Sequence, residues 1–154
     1  MRLGGVAFIA DVTHKKMKGT QVQADDLLLN ITGGSIGRCC IVPKEFETGN
    51  INQHVAIIRT VNVFNGYFLH KVICSPYFQN MIFEVQTGAG REGLPKNKMD
   101  NILIAFPPLE EQKEIVKKVE QLMAHCQSLE QEIKTSEANA KMLMQAVLKE
   151  AFES

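Results

Sequence analysis

The sequence predicts a small α+β domain followed by one long C-terminal helix of the coiled-coil type. Short apolar runs bounded by turn residues come first, two helical patterns follow, and one further apolar run returns. This order is typical of a small mixed or antiparallel β-sheet with helices packed against it. After residue 108 no proline or glycine occurs, and apolar residues recur at alternating steps of four and three. That spacing indicates a heptad seam along one helix.

Residues 1–32 predict two strands separated by a basic loop. Residues 6–10 form a short β-type run, and the loop is expected at residues 14–18. Residues 27–32 then predict a buried strand that is entered from a polar turn at Asp25 and Asp26.

A glycine-rich stretch at residues 33–38 predicts a hairpin turn, with a strand at residues 39–42 returning beside the previous strand. Such a stretch could instead surround a phosphate group, but the GK[ST] ending of a P-loop is missing. Arg38 would be exposed at the exit of the turn. A further strand is expected at residues 53–59, where His54 is interpreted as structural rather than catalytic.

Two helices are expected after this strand. The first begins at Asn65, and the second has Ser75 as its N-cap and Pro76 as its first residue. The spacing of the apolar residues on the second helix predicts that they face the core, although its aromatic rings could alternatively stack on bases. The side chains expected to point inward are Tyr77, Phe78, Met81, Ile82 and Val85.

A long exposed loop is expected at residues 87–95, where Gly88 ends the preceding helix. Lys96 and Lys98 extend this loop, and residues 101–106 predict a final strand. The first domain is therefore expected to cover residues 1–106.

The helix expected over residues 107–154 carries one narrow apolar stripe. Pro107 and Pro108 suit a helix start, because the N–H that proline lacks would be unpaired there. A helix of about 40 residues is about 60 Å long, and one stripe of that length needs a second helix against it. We expect a homodimer through this helix, with packing on its own domain as the alternative. The expected dimer contacts are Ile115, Val119, Leu122, Cys126, Leu129, Ile133, Leu143 and Val147.

The net charge of zero hides an uneven distribution. Residues 1–106 carry eleven Lys and Arg against eight Asp and Glu, whereas residues 107–154 carry six Lys against nine Glu. A mildly basic domain joined to an acidic helix permits nucleic-acid binding by the domain. Charge and loop position select Lys15, Lys16, Lys18, Arg38, Arg91 and Lys96 as the candidate DNA contacts.

Other classes of protein are not supported by the sequence. No apolar run approaches the length of a membrane span, and the first residues lack a signal-peptide layout, so a cytoplasmic protein without membrane contact is expected. The four cysteines have neither CxxC spacing nor a histidine at zinc-finger spacing, which predicts reduced thiols and no metal. No nucleophile elbow, HExxH motif or S-adenosylmethionine loop occurs, which predicts neither a catalytic site nor a cofactor.

Five short motifs, in their order, carry a resemblance to a known family. The last is the most specific, because it combines PPLEEQ with the start of the heptad helix. The motifs span residues 26–37, 52–55, 75–79, 88–94 and 107–116. In these residues the sequence resembles the specificity subunit of bacterial and archaeal type I restriction-modification systems.

The resemblance implies a non-catalytic DNA reader. The first domain would be a target-recognition domain that reads base edges in the major groove of double-stranded DNA. The helix would act as a spacer, and methyltransferase (modification) subunits and the restriction/translocase subunit would be the protein partners. A complete specificity subunit has two recognition domains and two helices, whereas this sequence has one of each and lacks the beginning of the domain. We therefore expect a half-length subunit, a C-terminal half or a fragment.

Two alternatives remain open. One is a coiled-coil protein–protein interaction module, for which duplex binding would be absent. The other is the recognition fragment of a fused methyltransferase-endonuclease, whose catalytic domains would lie outside this chain.

Overall fold

The computed structural model describes residues 6–61, 64–87 and 93–153, and the chain divides into two compact units, residues 1–113 and 114–154. Among these described residues, the first unit contains three short strands and four α-helices, and the long helix begins at its end. The strands are β1 (Leu27–Asn30), β2 (Cys39–Ile41) and β3 (Val55–Ile58). The helices are α1 (Asp11–Lys16), α2 (Gly66–Ile73), α3 (Pro76–Thr87), α4 (Lys96–Asp100) and α5 (Leu109–Glu153). The predicted fold class, a small antiparallel sheet with helices and a long C-terminal helix, is confirmed.

The sheet has three strands in the order β2-β1-β3, and both neighbours run antiparallel to β1. In the central strand, Leu28 lies opposite Cys40 on one side and Ile57 on the other. Leu27 and Leu29, which alternate with it, are completely buried. The hairpin predicted between the first two of these strands is confirmed, although each strand is shorter than expected.

The core lies where α2 and α3 cover one face of this sheet. It is formed by eight buried apolar residues: Leu27, Leu29, Ile36, Leu69, Ile73, Phe78, Ile82 and Leu94. Asn65 caps α2 by accepting hydrogen bonds from the N–H groups of Tyr67 and Phe68, and Ser75 Oγ accepts one from Phe78 N at the start of α3. Both predicted helix starts are confirmed, because capping is a local signal that sequence reveals.

The predicted inward orientation of one α3 side chain, that of Tyr77, is wrong. Phe78 and Ile82 are buried and Met81 packs against the core, but Tyr77 is 68% exposed. Successive residues on a helix are about 100° apart, so Tyr77 lies at the outer edge of the stripe centred on Phe78 and Ile82. The side chain of Val85 lies outside the described residues.

Two predicted strands are wrong. Residues 6–10 and 101–106 belong to no strand, and neither pairs with another segment of the described chain. Phe8 is 95% exposed, so the first run has no core to face. In the second run, Ile102 and Ile104 pack against the core while Leu103 is 88% exposed, so the alternation was correct but a pairing strand is missing. Alternation indicates which side chains turn inward and does not supply a hydrogen-bonding partner.

Two predicted loops are helical instead. Residues 14–18 were expected as a loop, but Asp11–Lys16 form α1 and a 3₁₀ turn follows at Lys18–Thr20. Residues 96–100, expected to extend a loop, form α4. Asp11 in the first turn of α1 and basic residues in its last turn both favour a helix through the helix dipole.

The long helix α5 is confirmed, with 45 residues and a length of about 68 Å. Its first turn is fixed within the first unit by Gln112, which is completely buried. The Oε1 atom of Gln112 accepts a hydrogen bond from Asn65 N at 2.8 Å, and its Nε2 atom donates to Pro107 O at 2.9 Å. No helix of the described chain is long and apolar enough to cross a membrane.

Candidate nucleic-acid interface

Three of the six candidate DNA contacts lie together on α1 and the turn after it. Lys15 and Lys16 are in the last turn of α1, and Lys18 opens the 3₁₀ turn; we call residues 15–18 the basic segment. All three lysines are exposed, and none forms an ion pair within the described part of the chain. Their charge is therefore available to an anionic partner.

The other three candidates are scattered. Arg38 is exposed directly after the hairpin turn. Lys96 forms an ion pair with Asp100, with 2.5 Å between Nζ and Oδ2, which offsets part of its charge. Arg91 lies outside the described residues. No hydrogen bond or ion pair in the described structure links Arg38 or Lys96 to the basic segment.

Helix α1 has no buried residue, and polar contacts hold it in place. The Nδ1 atom of His14 lies 2.5 Å from Asn50 Oδ1, and its Nε2 atom lies 3.3 Å from Thr48 Oγ1. Asn50 Nδ2 donates to Met17 O at 3.1 Å and to Thr20 Oγ1 at 2.9 Å. We call the contacts of these two side chains the His14–Asn50 tether. Sequence analysis missed it, because its members are 36 residues apart.

The hairpin turn that carries Arg38 is fixed by a side chain of α3. Gly37 has φ = +83°, which favours glycine, and its carbonyl oxygen accepts a hydrogen bond from Gln79 Nε2 at 2.9 Å. The same nitrogen donates to Ile73 O at 2.7 Å. On the strand side, Asn30 N donates to Arg38 O at 2.8 Å. The carbonyl groups on both sides of the Arg38 Cα atom are therefore held by hydrogen bonds.

Three segments meet at the end of β1. Ile31 N donates to His54 O, and Thr32 Oγ1 lies 2.6 Å from His54 Nδ1. Leu94 N donates to Ile31 O at 2.7 Å, and this bond attaches the segment that begins at Gly93 to the end of β1. A Cβ atom at Gly93 would collide with Ile31 O and Thr32 Cγ2, so the close approach requires glycine. His54 makes these local contacts, which supports its interpretation as a structural residue.

An ion pair between a buried carboxylate and a half-exposed arginine lies beside the sheet, and the sequence does not predict it. Asp26 is 1% exposed, and both its oxygens accept hydrogen bonds from Arg59, at 2.7 Å from Nε and 2.7 Å from Nη2. Gln23 N donates to the same carboxylate at 2.7 Å. Burial by itself would raise the pKa of Asp26, but the hydrogen bonds from Arg59 and Gln23 and the charge of Arg59 outweigh it and lower the pKa.

The four cysteines are free thiols in the structure. Burial raises the pKa of Cys39 to about 12, with smaller contributions from Cys74 and Cys40, and burial also raises the pKa of Cys74. Neither thiol ionises readily, and the thiolate is the form that attacks or binds metal. Among the described residues no cluster of three or more His, Cys, Asp or Glu side chains could hold a metal ion.

The apolar stripe of α5 offers a second surface. Leu122, Leu129, Ile133, Leu143 and Val147 are each between 44% and 67% exposed. Glu130 and Glu132 flank the middle of the stripe and are also exposed. The long helix bears out the sequence prediction, whereas the pairing of its expected dimer contacts stays a prediction.

Comparison with known proteins identifies the family to which this chain belongs. Residues 8–136 match the model of the type I restriction modification DNA specificity domain. The chain is 33% identical over 143 residues to the type I restriction enzyme EcoBI specificity subunit of Escherichia coli, covering 92% of the chain and 29% of that relative. It is 27% identical over 149 residues to the EcoKI specificity subunit of Escherichia coli K12, covering 92% and 32%. The chain thus spans about a third of the length of these relatives.

A solved structure has the same fold. A chain from a structure titled for complex assembly and conformational transition of the type I R-M system superposes with a TM-score of 0.65. The match covers 86% of the present chain and 32% of the other, with 22% sequence identity. At this identity the likeness establishes the fold.

Proposed function

Because the chain belongs to the family of type I restriction-modification DNA specificity domains, we propose that it reads one half of a bipartite target in double-stranded DNA. The chain itself would be non-catalytic and would direct catalytic partners to the site. The observation that carries this proposal is the basic segment, whose three exposed lysines form no ion pair with any residue that the structure describes. Cations of this kind contact phosphates and set the position of a protein on DNA, while other side chains read the bases.

The proposed division of labour follows the two parts of the chain. Residues 1–106 would form the target-recognition domain, and residues 107–154 would form the spacer and dimerisation helix. Methyltransferase subunits would dock on this assembly, and the restriction subunit would join them. The exposed stripe of α5 would also suit a coiled-coil interaction module, and salt-sensitive duplex binding separates this alternative from the DNA reader.

The first expected result is weak, salt-sensitive binding to duplex DNA. Three phosphate contacts give a slope of about −2.7 for log K against log[salt], or about a 40-fold loss of affinity between 50 and 200 mM salt. We expect a Kd in the non-specific range of about 10⁻⁴–10⁻⁶ M, because half of a bipartite reader lacks half of its contacts. Fluorescence anisotropy with a labelled duplex measures both quantities.

Charge reversal of Lys15 and Lys16 should weaken this binding and lower the slope by about two. The matched control is charge reversal of Lys134 and Lys141, which lie on the acidic helix and should leave the slope unchanged. Undetectable binding at 50 mM salt, or binding that ignores salt, would count against the DNA reader.

The second expected result concerns the direction of the paired helices, which we propose to be antiparallel. The small residues Ser136 and Ala140 then oppose Cys126 and Leu122 of the second copy, whereas a parallel pair would set small against small and leave a void. A two-fold pair of this kind would match inverted half-sites, so its DNA target would be an interrupted palindrome.

Native Cys126 reports on this direction. Two Cys126 residues would face each other in a parallel pair, but in the antiparallel pair they would lie about ten residues, or about 15 Å, apart along the axis. Ser136→Cys should therefore form a covalent dimer through positions 126 and 136 on mild oxidation, as identified by peptide mapping, because bridged Cα atoms must lie within about 7 Å. The same variant with Cys126→Ser is the control. A Cys126–Cys126 cross-link in the unmodified chain would rule out the antiparallel pair.

A further inference from the structure

We propose that His14 and Asn50 are positioning residues that hold the basic segment in the conformation that contacts the DNA phosphates. This inference rests on the proposed function, because it assigns how a DNA contact is prepared. The juxtaposition that carries it is that the His14–Asn50 tether holds the same short helix and turn that bear three exposed lysines, none of them in an ion pair with a described residue.

Helix α1 cannot hold its shape alone. It has six residues, no side-chain N-cap and no buried side chain, and its one large apolar residue, Val12, is 65% exposed. Isolated helices shorter than about 12 residues are marginal in water even when their sequences favour helix. The free energy that keeps α1 folded must therefore come from contacts with the rest of the domain.

The described side-chain hydrogen bonds between the α1 region and the rest of the domain centre on His14 and Asn50. Asn50 donates to Met17 O and to Thr20 Oγ1, so its remaining amide oxygen is the acceptor that faces His14. The hydrogen between this oxygen and His14 Nδ1 must therefore lie on the imidazole. From the other side, Gln21 Nε2 donates to His14 O at 2.9 Å.

The turn that supports Asn50 is itself well anchored. Val22 N donates to Gly49 O and Ile51 N donates to Thr20 O, each at 3.0 Å, and Gln21 and Asn50 form an isolated antiparallel bridge. Val22 is buried. The tether thus joins an exposed helix to a fixed point of the domain.

Holding the lysines in place matters for binding affinity. Each side chain that is ordered on binding costs affinity, and a segment that is already ordered avoids most of this cost. Loss of the tether should leave the charges of the lysines unchanged but allow the backbone that carries them to fray. We therefore expect His14→Ala and Asn50→Ala each to raise the Kd for a duplex about 3- to 10-fold.

One conservative variant separates positioning from direct contact. Asparagine carries its amide nitrogen near the position of Nδ1, so His14→Asn can still donate to Asn50 while it removes the imidazole and any charge on it. His14→Asn should bind within about 2-fold of the unmodified chain. If it binds as weakly as His14→Ala, the imidazole itself contacts DNA and the inference is wrong.

The second test is a mutant cycle that combines His14→Ala with removal of the three lysines and compares the changes in Kd for a duplex. In a chain with Lys15, Lys16 and Lys18 all changed to alanine, His14→Ala should cost less than 2-fold, because the groups that it positions are gone. Additive effects would overturn the inference. Amide hydrogen exchange at Met17 N, which bonds to Thr13 O and His14 O, should accelerate in His14→Ala and Asn50→Ala while the thermal midpoint of the domain changes little.

The possible outcomes test this inference separately from the proposed function. If the unmodified chain shows no salt-sensitive binding to duplex DNA, both the DNA reader and the positioning role of the tether are wrong. Binding that weakens in the triple-lysine variant but not in His14→Ala would retain the DNA reader and reject the tether. Binding that ignores the three lysines would also reject the tether, and the contact with DNA would then lie elsewhere on the domain.

Discussion

Replacing Leu129 and Ile133 by aspartate is expected to convert a self-associating chain into a monomer. In a two-fold pair the double variant removes four buried apolar side chains, each worth roughly 1.5–3 kcal/mol. The loss of at least about 6 kcal/mol corresponds to a Kd for self-association that rises by about 10⁴-fold or more. Buried carboxylates would add a further penalty. Sedimentation equilibrium across the micromolar range measures this change.

The matched control is a double variant on the outer faces of the same helix turns. Gln127→Asp and Gln131→Asp add the same charge, but neither position belongs to the heptad seam. This control should self-associate like the unmodified chain apart from a small electrostatic effect. An unmodified chain that stays monomeric at high micromolar concentration would contradict the prediction, as would a control that dissociates equally.

Removing Arg59 is expected to destabilise the first unit and to reverse its response to acid. Asp26 would remain buried without its cation, and breaking a buried pair in this way typically costs about 3–5 kcal/mol. Arg59 is half exposed and its charge is partly screened by water, so we expect a value below this range, about 2 kcal/mol at pH 7. Urea unfolding of Arg59→Ala measures it, and Arg38→Ala, which removes an exposed arginine, should change stability by no more than about 0.5 kcal/mol.

The direction of the pH effect follows from the pKa of Asp26. In the unmodified chain this pKa is lowered from 3.8, so the ion pair stabilises the fold above that pH, and the stabilisation is lost as pH falls through the folded value. Without Arg59, burial dominates and raises the pKa of Asp26. Protonation then relieves the buried charge, so Arg59→Ala should gain stability on acidification from pH 7 to about pH 4. Parallel curves for the two chains would show that Asp26 does not depend on Arg59.

Local signals explain which parts of the fold were predictable. Asn65, Ser75 and the glycine-rich turn act within a few residues, and the heptad spacing of α5 repeats many times. The runs at residues 6–10 and 101–106 failed because a strand also needs a partner from elsewhere in the chain. Their composition cannot show whether that partner exists.

The candidate interface was predictable only in its charges. The lysines of the basic segment are visible as a cluster in the sequence, but His14 and Asn50 are 36 residues apart and look ordinary alone. Asp26 and Arg59 are 33 residues apart, but their pairing follows from the register of the sheet. Once β1 and β3 are paired with Leu27 opposite Ile58, residues 26 and 59 are the next pair along the ladder.

The glutamates at the middle of α5 affect which partner helix α5 binds most tightly. In the antiparallel register that sets Leu129 against Ile133, Glu130 of one copy lies level with Glu132 of the second copy. All four glutamates of the pair then fall within about one turn of the two-fold axis. Charges beside a seam decide partner choice, and preference is a difference between two affinities. If α5 pairs with a second copy, we expect a helix of the same seam with lysines at these two positions to bind more tightly and to displace that copy.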